Sequence, residues 1–135
     1  MATNNAVNNV KPLNVVTVTS DTISIENYTL YVCSYTTGPI SFTLPTTAKL
    51  GSFFMISMLS TDQIATLHQN VGQQIMGPTT RVTTEGIAGS ITITPPSATF
   101  FNTYRFYCIE ENNKWILDIM NYTSATQPHL YMAYV

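Results

Sequence analysis

Few side chains in this sequence could do chemistry. His68 sits in Thr66-Leu67-His68-Gln69, and His129 follows Pro128, 61 positions later, with no carboxylate closely spaced to either. A general base needs a partner within hydrogen-bond reach, so each reads as a histidine on the surface or at an oligomer axis. Glu110 and Glu111 form an adjacent carboxylate pair, but neighbouring strand residues face opposite sides, and a turn would leave both solvated. Glycoside hydrolysis needs two carboxylates converging across a sugar. Asp62, Glu85 and Asp118 are the other candidates, and no spacing draws them together. There is no phosphate loop, nucleophile elbow or metal motif, and Gly86-Ile87-Ala88-Gly89 reads as a turn. The expectation is a protein that is not an enzyme and carries no metal and no cofactor.

Cys33 and Cys108 both lie in apolar, aromatic stretches. They read as free buried thiols, with a disulfide between neighbouring strands as the alternative. Only 9% of the 135 residues are charged, five Lys or Arg against seven Asp or Glu, where an ordinary domain has about 25%. Thr, Ser, Asn and Gln supply 48 residues instead, so the surface is polar but nearly uncharged. Five scattered basic residues build no phosphate-neutralising patch, which argues against nucleic acid and lipid surfaces as partners. No apolar run is long enough for membrane insertion, and Met1-Ala2-Thr3-Asn4-Asn5 is not the start of a signal peptide. Asn27-Tyr28-Thr29 and Asn121-Tyr122-Thr123 match the glycosylation pattern, which would need secretion. A weakly charged chain lacks repulsion against its own copies, so a homo-oligomer is expected.

The elements that must position these residues read as strands throughout. An Asn-rich arm over 1–14 contains Pro12. β-Branched or alternating segments follow at Val15 to Thr19, Thr22 to Ile25, Tyr28 to Ser34, Ile40 to Leu44, Phe53 to Leu59 and Ile64 to His68. Short pieces near Ile75 and over Arg81 to Thr83 precede Ser90 to Thr94. Tyr104 to Ile109 and Trp115 to Met120 flank Glu110 to Lys114 as a hairpin. No window holds helical periodicity. The pattern predicts an all-β domain over 15–121, a small antiparallel β-sandwich, jelly-roll- or prism-like, with short strands. An aromatic tail over 122–135 ends in Leu130, Tyr131, Met132, Tyr134 and Val135. Left exposed it would form an unusually apolar patch. It reads either as an inter-subunit strand or as a strand packed within its own chain.

The run Ile40-Ser41-Phe42-Thr43-Leu44-Pro45, a connector ending Leu50-Gly51 and the apolar strand Phe53 to Ser57 resemble a pattern in the distal β-domains of bacteriophage tail-fibre and tail-spike proteins. Asn70-Val71-Gly72-Gln73-Gln74-Ile75 resembles their following strand-turn, and Asn113-Lys114-Trp115-Ile116-Leu117 resembles their closing strand. The likeness spans Tyr28 to Met120, about two-thirds of the chain. In physical terms, Pro45 stops a strand where no donor is needed, and Gly51 permits a tight re-entry.

The resemblance implies a trimer on a virion fibre, with other virion proteins as partners and a cell-surface glycan as possible receptor. Virion localisation and a part in host attachment follow from it. A lectin of cellular origin, or a capsid or tail decoration subunit that binds no receptor, are the alternatives. Trp115, Leu130, Tyr131, Met132, Tyr134 and Val135 are the expected oligomer-interface residues. Loops at Ser60 to Gln63, Gly77 to Thr80 and Ser97 to Thr103 are the expected receptor contacts, because they are polar, uncharged and irregular.

Overall fold

The computed structural model describes residues 13–34, 38–59, 64–77, 82–85, 89–94, 102–121 and 132–135. Eleven strands run in chain order: β1 (Asn14–Thr17), β2 (Thr22–Ser24), β3 (Thr29–Cys33), β4 (Ile40–Thr43), β5 (Phe53–Met58), β6 (Ala65–His68), β7 (Gln74–Met76), β8 (Ser90–Ile93), β9 (Asn102–Glu110), β10 (Lys114–Asn121) and β11 (Met132–Tyr134). No helix occurs among the described residues, so none is long and apolar enough to cross a membrane. The strands lie within a residue or two of their expected positions wherever the sequence alternates. Most of the Asn-rich arm, together with Asp62, His129, Leu130 and Tyr131, lies outside the described residues.

The chain crosses between two sheets with nearly every strand. One sheet has the order β1-β3-β5-β9-β10-β7 and the other β11-β8-β6-β4-β2. The first six strands therefore wind in three successive coils, and each strand lands parallel to its predecessor in the same sheet. Five of the nine pairings are parallel and four are antiparallel. The expected antiparallel arrangement is thus corrected to two mixed sheets. The physical reason lies in the connections. Hairpins pair neighbours in sequence antiparallel, whereas each of the first four excursions to the opposite sheet, β1 to β3, β2 to β4, β3 to β5 and β4 to β6, returns parallel. Only β9–β10 is a direct hairpin, closed by Glu111, Asn112 and Asn113.

The core lies between the sheets. Alternate residues of β3, β4, β5 and β8 are buried, as the period of two requires. Phe54 stacks on Phe106 with centroids 5.0 Å apart and tilts against Trp115 at 5.2 Å. Tyr31 of the six-stranded sheet meets Phe42 of the other at 5.6 Å, edge-on. Trp115 is fully buried within the one chain. Its expected place in an oligomer interface is corrected, because the core takes its whole surface.

The two outer faces differ in kind. On the five-stranded sheet the register aligns Thr22, Ser41, Thr66 and Thr92 in one row and Ser24, Thr43, His68 and Ser90 in the next. Thr66 and Thr92 hydroxyls lie 3.4 Å apart across that row. On the six-stranded sheet one row carries Val15, Leu30, Met55, Arg105 and Asp118, and another Phe53, Tyr107, Ile116 and Met76. Apart from Val15, which is exposed, the apolar members of those rows are half-buried. Arg105 pairs with Asp118 at 3.0 Å and lies over the Tyr107 ring at 4.5 Å.

The tail strand β11 pairs antiparallel with β8 of its own chain. The Val135 amide donates to Ser90 O at 2.9 Å, and the amides of Thr84 and Ser90 donate to Val135 O. Of the two readings of the tail, the one within the chain is observed. Tyr134 packs against the core and over Gly77, where any added Cβ would collide with its ring and hydroxyl.

Candidate functional site

Two left-handed residues mark one end of the stack. Among the described non-glycine residues, only Tyr28 (φ 60°) and Asn112 (φ 64°) have positive φ. For a bulky aromatic this conformation costs about 1–2 kcal/mol, and such costs cluster at functional places. Both residues line the same open cavity of about 390 Å³.

Three segments build that cavity. The β2–β3 turn gives Asn27 and Tyr28, the β4–β5 connector gives Thr47, Ala48, Lys49 and Ser52, and the β9–β10 turn gives Glu111 and Asn112. Each segment is fastened. The Tyr28 amide donates to Phe53 O at 2.6 Å, while Tyr28 O accepts from Asn14 N at 3.0 Å. The Tyr28 ring meets Phe53 edge-on at 5.3 Å, and its hydroxyl lies 3.4 Å from Ser52 Oγ. Asn112 clamps the connector from both sides: its Oδ1 accepts from Ala48 N at 2.7 Å, and its amide donates to Ala48 O at 2.9 Å. Gly51, at φ 85°, turns the connector back into β5.

Behind the cavity lies a buried polar network. Gln73 Nε2 donates to Pro45 O at 2.7 Å and to Asn112 O at 2.9 Å. Asn70 Nδ2 donates to Leu44 O at 2.8 Å, and Thr83 Oγ1 donates to Gln69 Oε1 at 2.6 Å. The Asn70–Gln73 turn therefore ties the end of β4 to the β9–β10 turn.

A second concavity of about 390 Å³ adjoins the first and shares Asn27 and Thr47 with it. Ile25, Glu26, Pro45 and Thr46 complete its walls. The bond from Asn27 Nδ2 to Thr47 O, 3.0 Å, forms the ridge between them. Asn27 Oδ1 is shielded from solvent and accepts no hydrogen bond among the described residues.

The groove offers an aromatic ring, amides, hydroxyls, one exposed cation and two exposed carboxylates (Glu26 and Glu111). Among the described residues no His or Cys lines it, and Cys108, behind the wall with its Sγ 3.7 Å from Ala48 O, is buried. Among the described residues no three of His, Cys, Asp and Glu gather as a metal site. His68 is exposed on β6, far in sequence from the groove segments, and Glu85 is exposed. Glu110 pairs with Lys114 at 3.3 Å. Cys33 and Cys108 are both free and buried. Burial pushes the Cys33 thiol up to about 12, so it stays protonated and unreactive.

The described members of the expected interface lie apart from the groove. Tyr134 and Val135 sit beside β8, Met132 is in the same strand, and Leu130 and Tyr131 lie outside the described residues. The loop stretches 60–63, 78–80 and 97–101 also lie outside them. Sequence reading missed the groove. Asn112 in Asn112-Asn113 carried a signal, because Asn tolerates the left-handed region. Tyr28 carried none. Comparison with protein-family models and with curated proteins returns no match to this chain.

Proposed function

We propose that the chain is a fibre- or spike-like β-domain of a virion, assembling as a homotrimer through the outer face of its six-stranded sheet and contributing to host attachment. The observation that carries this reading is the contrast between the two outer faces. Ser and Thr rows suit water, whereas a face of Val15, Leu30, Met55, Phe53, Tyr107 and Ile116 is unfavourable in water and lowers its free energy by packing against another such face. The ion pairs on that face, Arg105–Asp118 and Lys114–Glu110, both close within the protomer, so like faces meet without an unpaired charge there. The resemblance of Ile40 to Gly51 and Asn113 to Leu117 to tail-fibre domains supports the virion setting. Attachment then works by multivalency: three weak sites on one rigid body raise apparent affinity with no strong single contact.

Light scattering tests the assembly. The expected mass is about three times that of one 15.0 kDa chain. A stable monomer at micromolar concentration overturns it. A cellular carbohydrate-binding module is the second reading. The observation that favours it is that the groove lies wholly within one protomer, so a monomer would retain it.

A further inference from the structure

We propose that the groove divided by the Asn27–Thr47 ridge is a binding site for a neutral glycan, with one sugar residue in each concavity. The inference deepens the attachment role proposed above and takes its biological meaning from it.

The first argument is cost. Two left-handed side-chain-bearing residues, Tyr28 and Asn112, and one shielded acceptor without a donor, Asn27 Oδ1, converge on a single concavity. The Tyr28 backbone and the Asn27 acceptor, unmatched among the described residues, raise the energy of the unliganded fold, whereas Asn112 is of a type that tolerates its conformation.

The second argument is chemistry. The concavity is open, so a wholly apolar ligand would lose too little water to bind. A phosphate or nucleotide would find one cation, Lys49, opposed by Glu111 and Glu26. A sugar carries both kinds of surface that the groove offers. Its hydroxyls match Thr47 Oγ1, Tyr28 Oη and the Asn27 amide, and its C–H face matches an aromatic ring. The acidic balance of the groove, with two carboxylates against one lysine, selects against acidic sugars.

The third argument is shape. Two open concavities share one ridge, a shape that suits consecutive residues of one chain.

Chemical-shift titration of the full-length protein tests the proposal. The probes are methyl glycosides of glucose, galactose, mannose and N-acetylglucosamine, the disaccharides lactose and cellobiose, and N-acetylneuraminic acid as an anionic comparator. At least one neutral sugar is expected to shift the amides of Tyr28, Lys49, Ser52 and Asn112, with a midpoint in the millimolar range. A disaccharide of the same sugar is expected to bind several-fold tighter. Tyr28→Ala should weaken binding about tenfold, and Tyr28→Phe by about threefold or less. Thr47 is exposed, so Thr47→Trp fills the groove without entering the core and should abolish binding while the thermal midpoint holds. No shift at these amides with any neutral sugar up to about 50 mM overturns the proposal. So does unchanged binding in Thr47→Trp, or tighter binding of the anionic comparator. The outcomes separate cleanly from those for assembly. A monomer that binds sugar here overturns the fibre reading alone, and a trimer that binds none overturns this inference alone.

Discussion

Asn112 holds the groove together through conformation and hydrogen bonding at once. It adopts φ 64° and accepts from Ala48 N, and its carbonyl receives Gln73 Nε2. Asn112→Gly keeps the left-handed backbone and loses one acceptor, an expected cost of about 1–2 kcal/mol. Asn112→Ala adds the backbone penalty, for about 2–4 kcal/mol. Urea denaturation of the two variants checks the order, and an equal loss would show that the conformation carries no cost. Cys33 gives a pH dependence. Its thiol ionises near 12 in the fold and near its ordinary 9.0 once unfolded. Above about pH 9 the unfolded chain gives up a proton that the native chain keeps, so stability is full below that pH and falls as pH rises toward 12. The slope is at most about 1.4 kcal/mol per pH unit. Cys33→Ala should flatten the decline between about pH 9 and 11, measured by urea unfolding. Burial raises Cys108 as well, so some decline should remain.

At the scale of elements, the Asn70–Gln73 turn and β11 do different work. Gln73 is buried and bonds two carbonyls from separate connections, Pro45 O and Asn112 O. Gln73→Leu strands both, with an expected loss of about 2–4 kcal/mol. Its effect should reach the β4–β5 connector and the β9–β10 turn together, read by amide exchange at Ala48 and Asn112. β11 covers the outer edge of β8, and Tyr134 covers Gly77. Removing 132–135 should lower the thermal midpoint even where the oligomer persists; an unchanged midpoint would mean that the pairing contributes nothing. Strand positions were legible because β-branched alternation at Ile40 to Thr43 or Ser90 to Ile93 states which residues face inward. Pairing was not legible in the same way. Periodicity fixes a strand's face, not its neighbour, and the parallel return of β3 onto β1 is written only in the length of the excursion through β2. The groove was illegible for a related reason: its parts come from three turns far apart in sequence, and Tyr28 is not a residue type that announces a turn.

For the whole molecule, the contrast of faces assigns a test to each side. Met55→Asp and Tyr107→Asp place a charge on the apolar face and should shift the proposed assembly toward monomer, Tyr107→Asp also losing the ring contacts with Arg105 and Phe53. Thr66→Lys and Thr92→Lys place charges on the hydroxyl face and should leave the mass unchanged. Light scattering on all four distinguishes the faces; dissociation by the threonine variants would assign the contact to the other sheet. Low charge was legible from composition and pointed to self-association, but composition does not say where the charge is missing. The residues that read as an interface, Trp115 above all, were apolar and aromatic, and that property serves a core equally well.

The winding of the chain also sets an order of assembly in time. Partners within the first three coils are separated by only 15 to 25 positions, as in Asn14 with Thr29 and Leu30 with Met55. Short loops close early, so this half can form as the chain leaves the ribosome. β7 is different: Gln74 pairs with Lys114, 40 positions later. The seventh strand must wait, with only its Val82–Thr83 edge paired, until the tenth has been made, and the Asn70–Gln73 network that backs the groove waits with it, because Gln73 needs Asn112. A groove that closes only with the β9–β10 turn is one that a chain short of its tenth strand does not present.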